Sequence, residues 1–191
     1  MKELLIEIDR HITNRKIDEN KVAEILQSNK DIINRRIIGG YSSVAVVDRE
    51  GQKIPISALK KAAANFMKNI FARPIMVFHS DIQCGRILPF WTNPETGETI
   101  ETKVDDLGWY TVCEIRDDLE IANKTWEEIL KGNIRSFSIA GSSKDKLQKQ
   151  DHGVSYEQVN ELEIYESTLC ETPVNQASKF SVLWEPNKVQ W

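Results

Sequence analysis

Cysteine is scarce and unpaired in this 191-residue chain: Cys84, Cys113 and Cys170 are odd in number and widely spaced, which argues against a disulfide framework. Histidine is as rare, with only His11, His79 and His152, and no CxxC or HxxxH pair accompanies them. Neither a zinc site nor another cofactor is therefore expected. No excess of basic charge is present either: 25 Lys and Arg stand against 29 Asp and Glu, a net charge of -4, so nucleic acid is not an expected partner. Apolar runs are short and broken by Lys, Asp or Asn, leaving no spanning helix, and the opening MKELLIEIDRH carries acids where a signal peptide is apolar. The expectation is a soluble cytoplasmic protein that has no membrane partner and is long enough for one sizeable core.

What the chain does contain is many strand patterns and few helical ones. Leu4, Leu5, Ile8 and Ile12, then Val22, Ile25 and Leu26, form two helical stripes, so residues 1–36 are expected to be a helical segment, with the main domain over 37–191. Such stripes must pack on the body, on a second copy or on a partner. A strand is expected from Tyr41 to Val47. Leu59, Ala62, Ala63, Phe66, Met67 and Ile70 then predict a helix with Ser57 as N-cap, and IMVFH a buried strand ending at His79. GRILPFW and ETIETKV flank a turn at NPETGE, and GWYTVCEI adds another strand. A second helix is expected over 119–131, stopped by Gly132, or from Trp126 if Thr125 and Glu128 form a capping box. IRSFSIAG reads as a strand, SSKDKLQKQDHG as a polar loop, and VSYEQVNELEIYESTLCE and SKFSVLWE as closing strands. The fold class is α+β: a mostly antiparallel β-barrel or sheet with surrounding helices.

Three residues attract chemical interest. In a regular strand, Leu162, Ile164, Glu166, Thr168 and Cys170 share one face, which places the Glu166 carboxylate on the more apolar side. A carboxylate there needs a hydrogen-bonding or cationic partner. An imidazole would serve, and His79 has the strand parity of Ile75 and Val77. A Lys or Arg would serve Glu166 as well, and a histidine so placed is commonly just a satisfied core or edge residue. In RSFSIAGSS, Ser138 has an equally plain reading, as a small residue where a strand packs on a helix. A serine becomes a nucleophile only when a base takes its proton and an acid orients the base.

Three blocks, GQKIPISALKKAAANFMKNIFARPIMVFHSD, ILKGNIRSFSIAGSS and LEIYESTLCETPVNQASKFSVL, occur in that order. Together they resemble the head-maturation (prohead) serine proteases of tailed bacteriophages and prophage elements, a family similar in fold to herpesvirus assemblins. The resemblance implies Ser138 as nucleophile, His79 as general base and then acid, and Glu166 as third member, with Glu171 as the alternative if the strand carries a bulge. It further implies a serine endopeptidase in the host cytoplasm, inside an assembling prohead. Scaffold and major capsid proteins are its expected substrates, with the enzyme itself as a further candidate, and self-association into a homo-oligomer is expected. The other reading is an inactive capsid-assembly or scaffold-binding module of the same fold. Backbone N–H groups near Ile139 to Ser142 are candidates for an oxyanion hole. Where the family strand commonly has Gly two residues after the serine, this chain has Ala140 and then Gly141.

Overall fold

The computed structural model of the chain describes residues 34–69 and 73–186. The expected helical segment 1–36 lies, as far as residue 33, outside the described residues, as does Ile70. Among the described residues there are eleven strands, β1 (Arg36–Val44), β2 (Gln52–Lys53), β3 (Pro74–Val77), β4 (Gln83–Leu88), β5 (Phe90–Thr92), β6 (Thr99–Glu101), β7 (Lys103–Val104), β8 (Gly108–Ile115), β9 (Ser136–Asp151), β10 (Val154–Cys170) and β11 (Phe180–Trp184), and two helices, α1 (Ile56–Lys68) and α2 (Glu120–Leu130).

Period-two alternation decides how the sheet divides its faces. On β8, Trp109, Cys113 and Ile115 enter the larger apolar cluster, whereas Val112 faces a smaller one with Ile37, Leu88, Trp91 and Trp184. A sheet buried on both faces results. Its order is β11-β1-β8-β4-β3-β10-β2, with β7 added to β8 and β9 to β10. Pairing is antiparallel except where β10 runs parallel to β2 and β3. The sheet curls until β9 meets the segment before β11 at one bridge, Ser136 with Lys179. Phe137 N–H donates there to the Ser178 carbonyl at 3.0 Å. This is the expected α+β class, a mostly antiparallel sheet curled toward a barrel.

Both helices turn their apolar stripes into the larger cluster, α1 through Ala62, Ala63 and Phe66 and α2 through Ala122, Trp126 and Ile129. Phe66 meets fully buried Trp109 edge-on at 5.5 Å between ring centroids, so truncating Trp109 to Ala is expected to cost about 3–5 kcal/mol. Among the described residues no helix is long and apolar enough to cross a membrane. On the sheet, Glu114 accepts from both Arg35 and Arg86, the latter at 2.8 Å from Nε. Burial pushes the Glu114 pKa up, but those two guanidinium groups outweigh it and hold it below the ordinary 4.5.

Several boundaries differ from the sequence reading. The first strand starts at Arg36 and ends at Val44, because Ile37 and Ile38 are wholly buried on opposite faces. Helix α1 is preceded by Pro55, without a side-chain cap, so Ser57 is inside the helix. Thr125 also lies within its helix: it donates to the Ile121 carbonyl at 2.8 Å, and α2 begins five residues earlier, at Glu120. Finally, the polar segment 142–151 is strand. It pairs with residues 154–163 of β10 as a long hairpin arm, and cross-strand ion pairs such as Lys146–Glu157 at 2.7 Å replace the apolar contacts whose absence suggested a loop.

Candidate active site

His79 lies in a tight turn rather than at a strand end, because β3 stops at Val77. Ser80 N–H donates to the Val77 carbonyl at 2.9 Å, and the two central residues, Phe78 and His79, have φ of 50° and 53°. Positive φ at both centres is the pattern of a type I′ turn, which normally takes Asn and Gly. Two side chains in this region are each disfavoured by about 1–2 kcal/mol, so the neighbouring strand must hold the turn. Phe78 N–H donates to the Leu169 carbonyl at 3.0 Å, and His79 N–H donates to Thr168 Oγ1, also at 3.0 Å. The imidazole projects outward, 44% exposed, and its Nδ1 lies 2.9 Å from Glu166 Oε1.

A β-bulge brings Glu166 to that position. Ile164 pairs with Gly141 and Glu166 with Ala140, leaving Tyr165 as the extra residue on β10. The bulge reverses the expected parity: Ile164 stays in the core with Phe137 and Leu169, while Glu166 and Thr168 join the face of their cross-strand partners Ala140 and Ser138. Glu166 therefore does not share a face with Ile164, as a regular strand would require. Gly141 is what permits the bulge, since a Cβ there would meet the Glu163 carbonyl oxygen at 2.1 Å. The displaced glycine of this chain thus has a steric reason. Glu171 lies exposed beyond the end of β10.

Ser138 is 7% exposed, directly across from Thr168, and lines a cleft of about 320 Å³ together with His79. Among the described residues no hydrogen bond joins Ser138 Oγ to the imidazole, a looseness common in unliganded sites. Of the neighbouring serines, Ser136 is buried outside the cleft, Ser142 pairs with the Tyr165 hydroxyl at 2.7 Å, and Ser143 lines the cleft. The cysteines are no rivals as nucleophiles: all three are free and buried, and burial pushes the Cys84 thiol up to about 12 and that of Cys170 to about 11. His152 stands at the tip of the hairpin arm with its side chain 96% exposed, and His11 is outside the described residues.

Other contacts, which sequence patterns did not disclose, stiffen the cleft. Ser42 Oγ sits 2.8 Å from Thr111 Oγ1 and 3.1 Å from Ser167 Oγ, and Ser167 donates to the Ser138 carbonyl at 3.4 Å. All of these hydroxyls are buried, so β1, β8 and β10 are linked to the backbone of Ser138. Asn175, from the TPVNQA turn, donates to the Val44 carbonyl at 2.6 Å and closes one wall. A larger groove of about 520 Å³ runs between α1 and β10, but its lining lacks Ser138 and His79. Its lysines are taken up by its own acids, Lys61 with Glu161 at 3.1 Å and Lys144 with Glu163 at 3.0 Å. The smaller cleft is lined by a hydroxyl and an imidazole, and a carboxylate lies within hydrogen-bond distance of that imidazole.

A family model described as caudovirus prohead serine protease matches residues 92–188, a segment that contains Ser138 and Glu166 but begins after His79. The prohead protease of Escherichia phage T5 is 29% identical over 147 residues, covering 76% of this chain and 61% of that protein. An uncharacterised Bacillus subtilis protein, YqbD, is 28% identical over 121 residues, covering 62% of this chain and 34% of that protein. The chain thus spans less than two thirds of the length of either relative. Among solved structures, the bacteriophage T4 capsid assembly protease gp21 aligns with a TM-score of 0.49 and 16% identity, over 69% of this chain and 80% of that one.

Proposed function

The chain belongs to the caudovirus prohead serine proteases, and on that premise we propose that it is a serine endopeptidase of prohead maturation whose triad is Ser138, His79 and Glu166. One observation carries the reading: His79, which lines the same cleft as Ser138, has its Nδ1 2.9 Å from Glu166 Oε1. With Nδ1–H donating to the carboxylate, the Nε2 lone pair is left free to act as base. It takes the Ser138 proton as Oγ attacks the peptide carbonyl carbon, then delivers that proton to the leaving amine as the C–N bond breaks. Water, activated by the same nitrogen, releases the acyl group and restores the serine. Glu166 fixes the tautomer and stabilises the imidazolium.

The open edge of β9 supports an extended peptide as substrate. Beyond Phe137, β9 is paired only with β10, and Ile139, Ala140 and Gly141 line the cleft. A substrate strand lying there would meet backbone donors beside the nucleophile, including the candidates for the oxyanion hole near Ile139 to Ser142. The substrates we assign are scaffold and major capsid segments within the assembling prohead in the host cytoplasm, and the working form is a homo-oligomer. Incubating the purified chain and its Ser138→Ala variant with those proteins, followed by intact mass, tests the assignment. Discrete fragments absent from the variant are expected. Intact partners beside a folded, self-associated wild type would favour a non-catalytic assembly module instead.

A further inference from the structure

We infer that Thr168 is a positioning residue for the general base, an inference that rests on the peptidase reading of the cleft. Thr168 is wholly buried and stands opposite Ser138 in the β9–β10 register. Its Oγ1 accepts the His79 backbone N–H at 3.0 Å, while Glu166, two residues earlier on the same strand face, meets the ring of that histidine at 2.9 Å. One strand therefore grips His79 at two points, backbone and side chain.

The grip is needed because of the turn. Phe78 and His79 both hold positive φ without glycine, and relaxation of either would swing the imidazole away from the cleft. Two bonds from β10 oppose that relaxation, Phe78 N–H to the Leu169 carbonyl and His79 N–H to Thr168 Oγ1. The first uses main chain that any residue supplies. The second depends on a hydroxyl at position 168. Because Thr168 is also the cross-strand neighbour of Ser138, its hydroxyl fixes the base relative to the nucleophile as well as to the acid.

The test compares wild type, Thr168→Val and Thr168→Ser in the full chain. Valine keeps the shape and removes the acceptor, whereas serine keeps the acceptor. The first readout is the rate at which an alkyl fluorophosphonate labels Ser138, with kcat and KM on a cleavable peptide where turnover is seen. Thr168→Val is expected to lower labelling and kcat by about 10–100-fold with little change in KM, and Thr168→Ser to recover most of the loss. The second readout is independent of catalysis: the low-field Nδ1–H resonance of His79 in ¹⁵N-labelled protein, readily assigned with three histidines in the chain. It should weaken or vanish in Thr168→Val and persist in Thr168→Ser. A folded Thr168→Val with wild-type labelling and an unchanged ring resonance would overturn the inference while leaving the peptidase reading intact. A wild type that neither labels nor cleaves would sink the peptidase reading, and the ring resonance would still decide whether Thr168 holds His79.

Discussion

Two turns in this molecule have the same backbone signature and opposite circumstances. At the tip of the β9–β10 arm, His152 and Gly153 carry φ of 46° and 82°; at the cleft, Phe78 and His79 carry 50° and 53°. The arm turn places glycine at one strained position and leaves His152 in solvent, so nothing beyond the hairpin is needed to hold it. The cleft turn has glycine at neither position, and three hydrogen bonds to β10, accepted by Leu169, Thr168 and Glu166, hold it instead. Strain of this kind persists where the surroundings over-determine a conformation, and here the over-determined residue is the one that the proposed chemistry requires to stay still.

The largest contrast should come from removing each histidine. His79→Ala is expected to lower kcat/KM at least about 10³-fold, while His152→Ala leaves it within about twofold; equal losses would break the comparison. Glu166→Gln should cost about 10²–10⁴-fold in kcat by favouring the wrong tautomer, with thermal stability little changed. These pH-sensitive assays belong above about pH 5, because the frame loosens in acid. The Glu114 carboxyl is held below its ordinary 4.5 in the folded chain, so its contribution is complete above that value and is lost as pH falls through the folded pKa. Glu114→Gln should therefore destabilise by on the order of 2 kcal/mol at pH 7 and flatten the acid decline in urea midpoints; an unchanged decline would discount this ion cluster. At the arm tip, Gly153→Ala is expected to cost about 1 kcal/mol and to spare activity.

Much of this arrangement was legible in the order of residues. The helices α1 and α2 and the strand GWYTVCEI follow from periodicity; the grouping of His79, Ser138 and Glu166 rests on motif order and family resemblance alone, and the structure lines one cleft with Ser138 and His79 and sets Glu166 against the imidazole. The parity argument for Glu166 did not hold, because alternation assumes a regular strand and the Tyr165 bulge adds a residue. Its sequence sign was present in Gly141, whose position one residue later than the family pattern matches the close approach to Glu163. The arm was missed for a different reason. Lys144, Lys146 and Lys149 on an exposed strand edge look like loop composition, yet charge is also how an open edge is kept from pairing with other chains. Thr168 left no mark that a serine or valine would not, since its role depends on a backbone N–H from a turn 89 residues away in sequence.

The smallest predicted effect is also the one that tests the comparison most directly. Replacing Phe78 or His152 with glycine removes a side chain from a positive-φ position, a gain of about 1–2 kcal/mol in the folded state that the freer unfolded chain largely offsets. Both variants should therefore unfold within about 0.5 kcal/mol of wild type in urea. Their kinetics should differ. His152→Gly alters a turn that positions nothing and should leave kcat and KM unchanged. Phe78→Gly makes the neighbour of His79 permissive, so the imidazole samples positions away from the cleft, and kcat is expected to fall several-fold. Phe78 is itself 53% exposed, so loss of a substrate contact must be separated from loss of order. A contact made equally in ground and transition state would raise KM at constant kcat, whereas a loosened base lowers kcat at nearly constant KM. If Phe78→Gly changes KM alone, the cleft turn is held no more firmly than the arm turn needs to be, and its strain has no catalytic use.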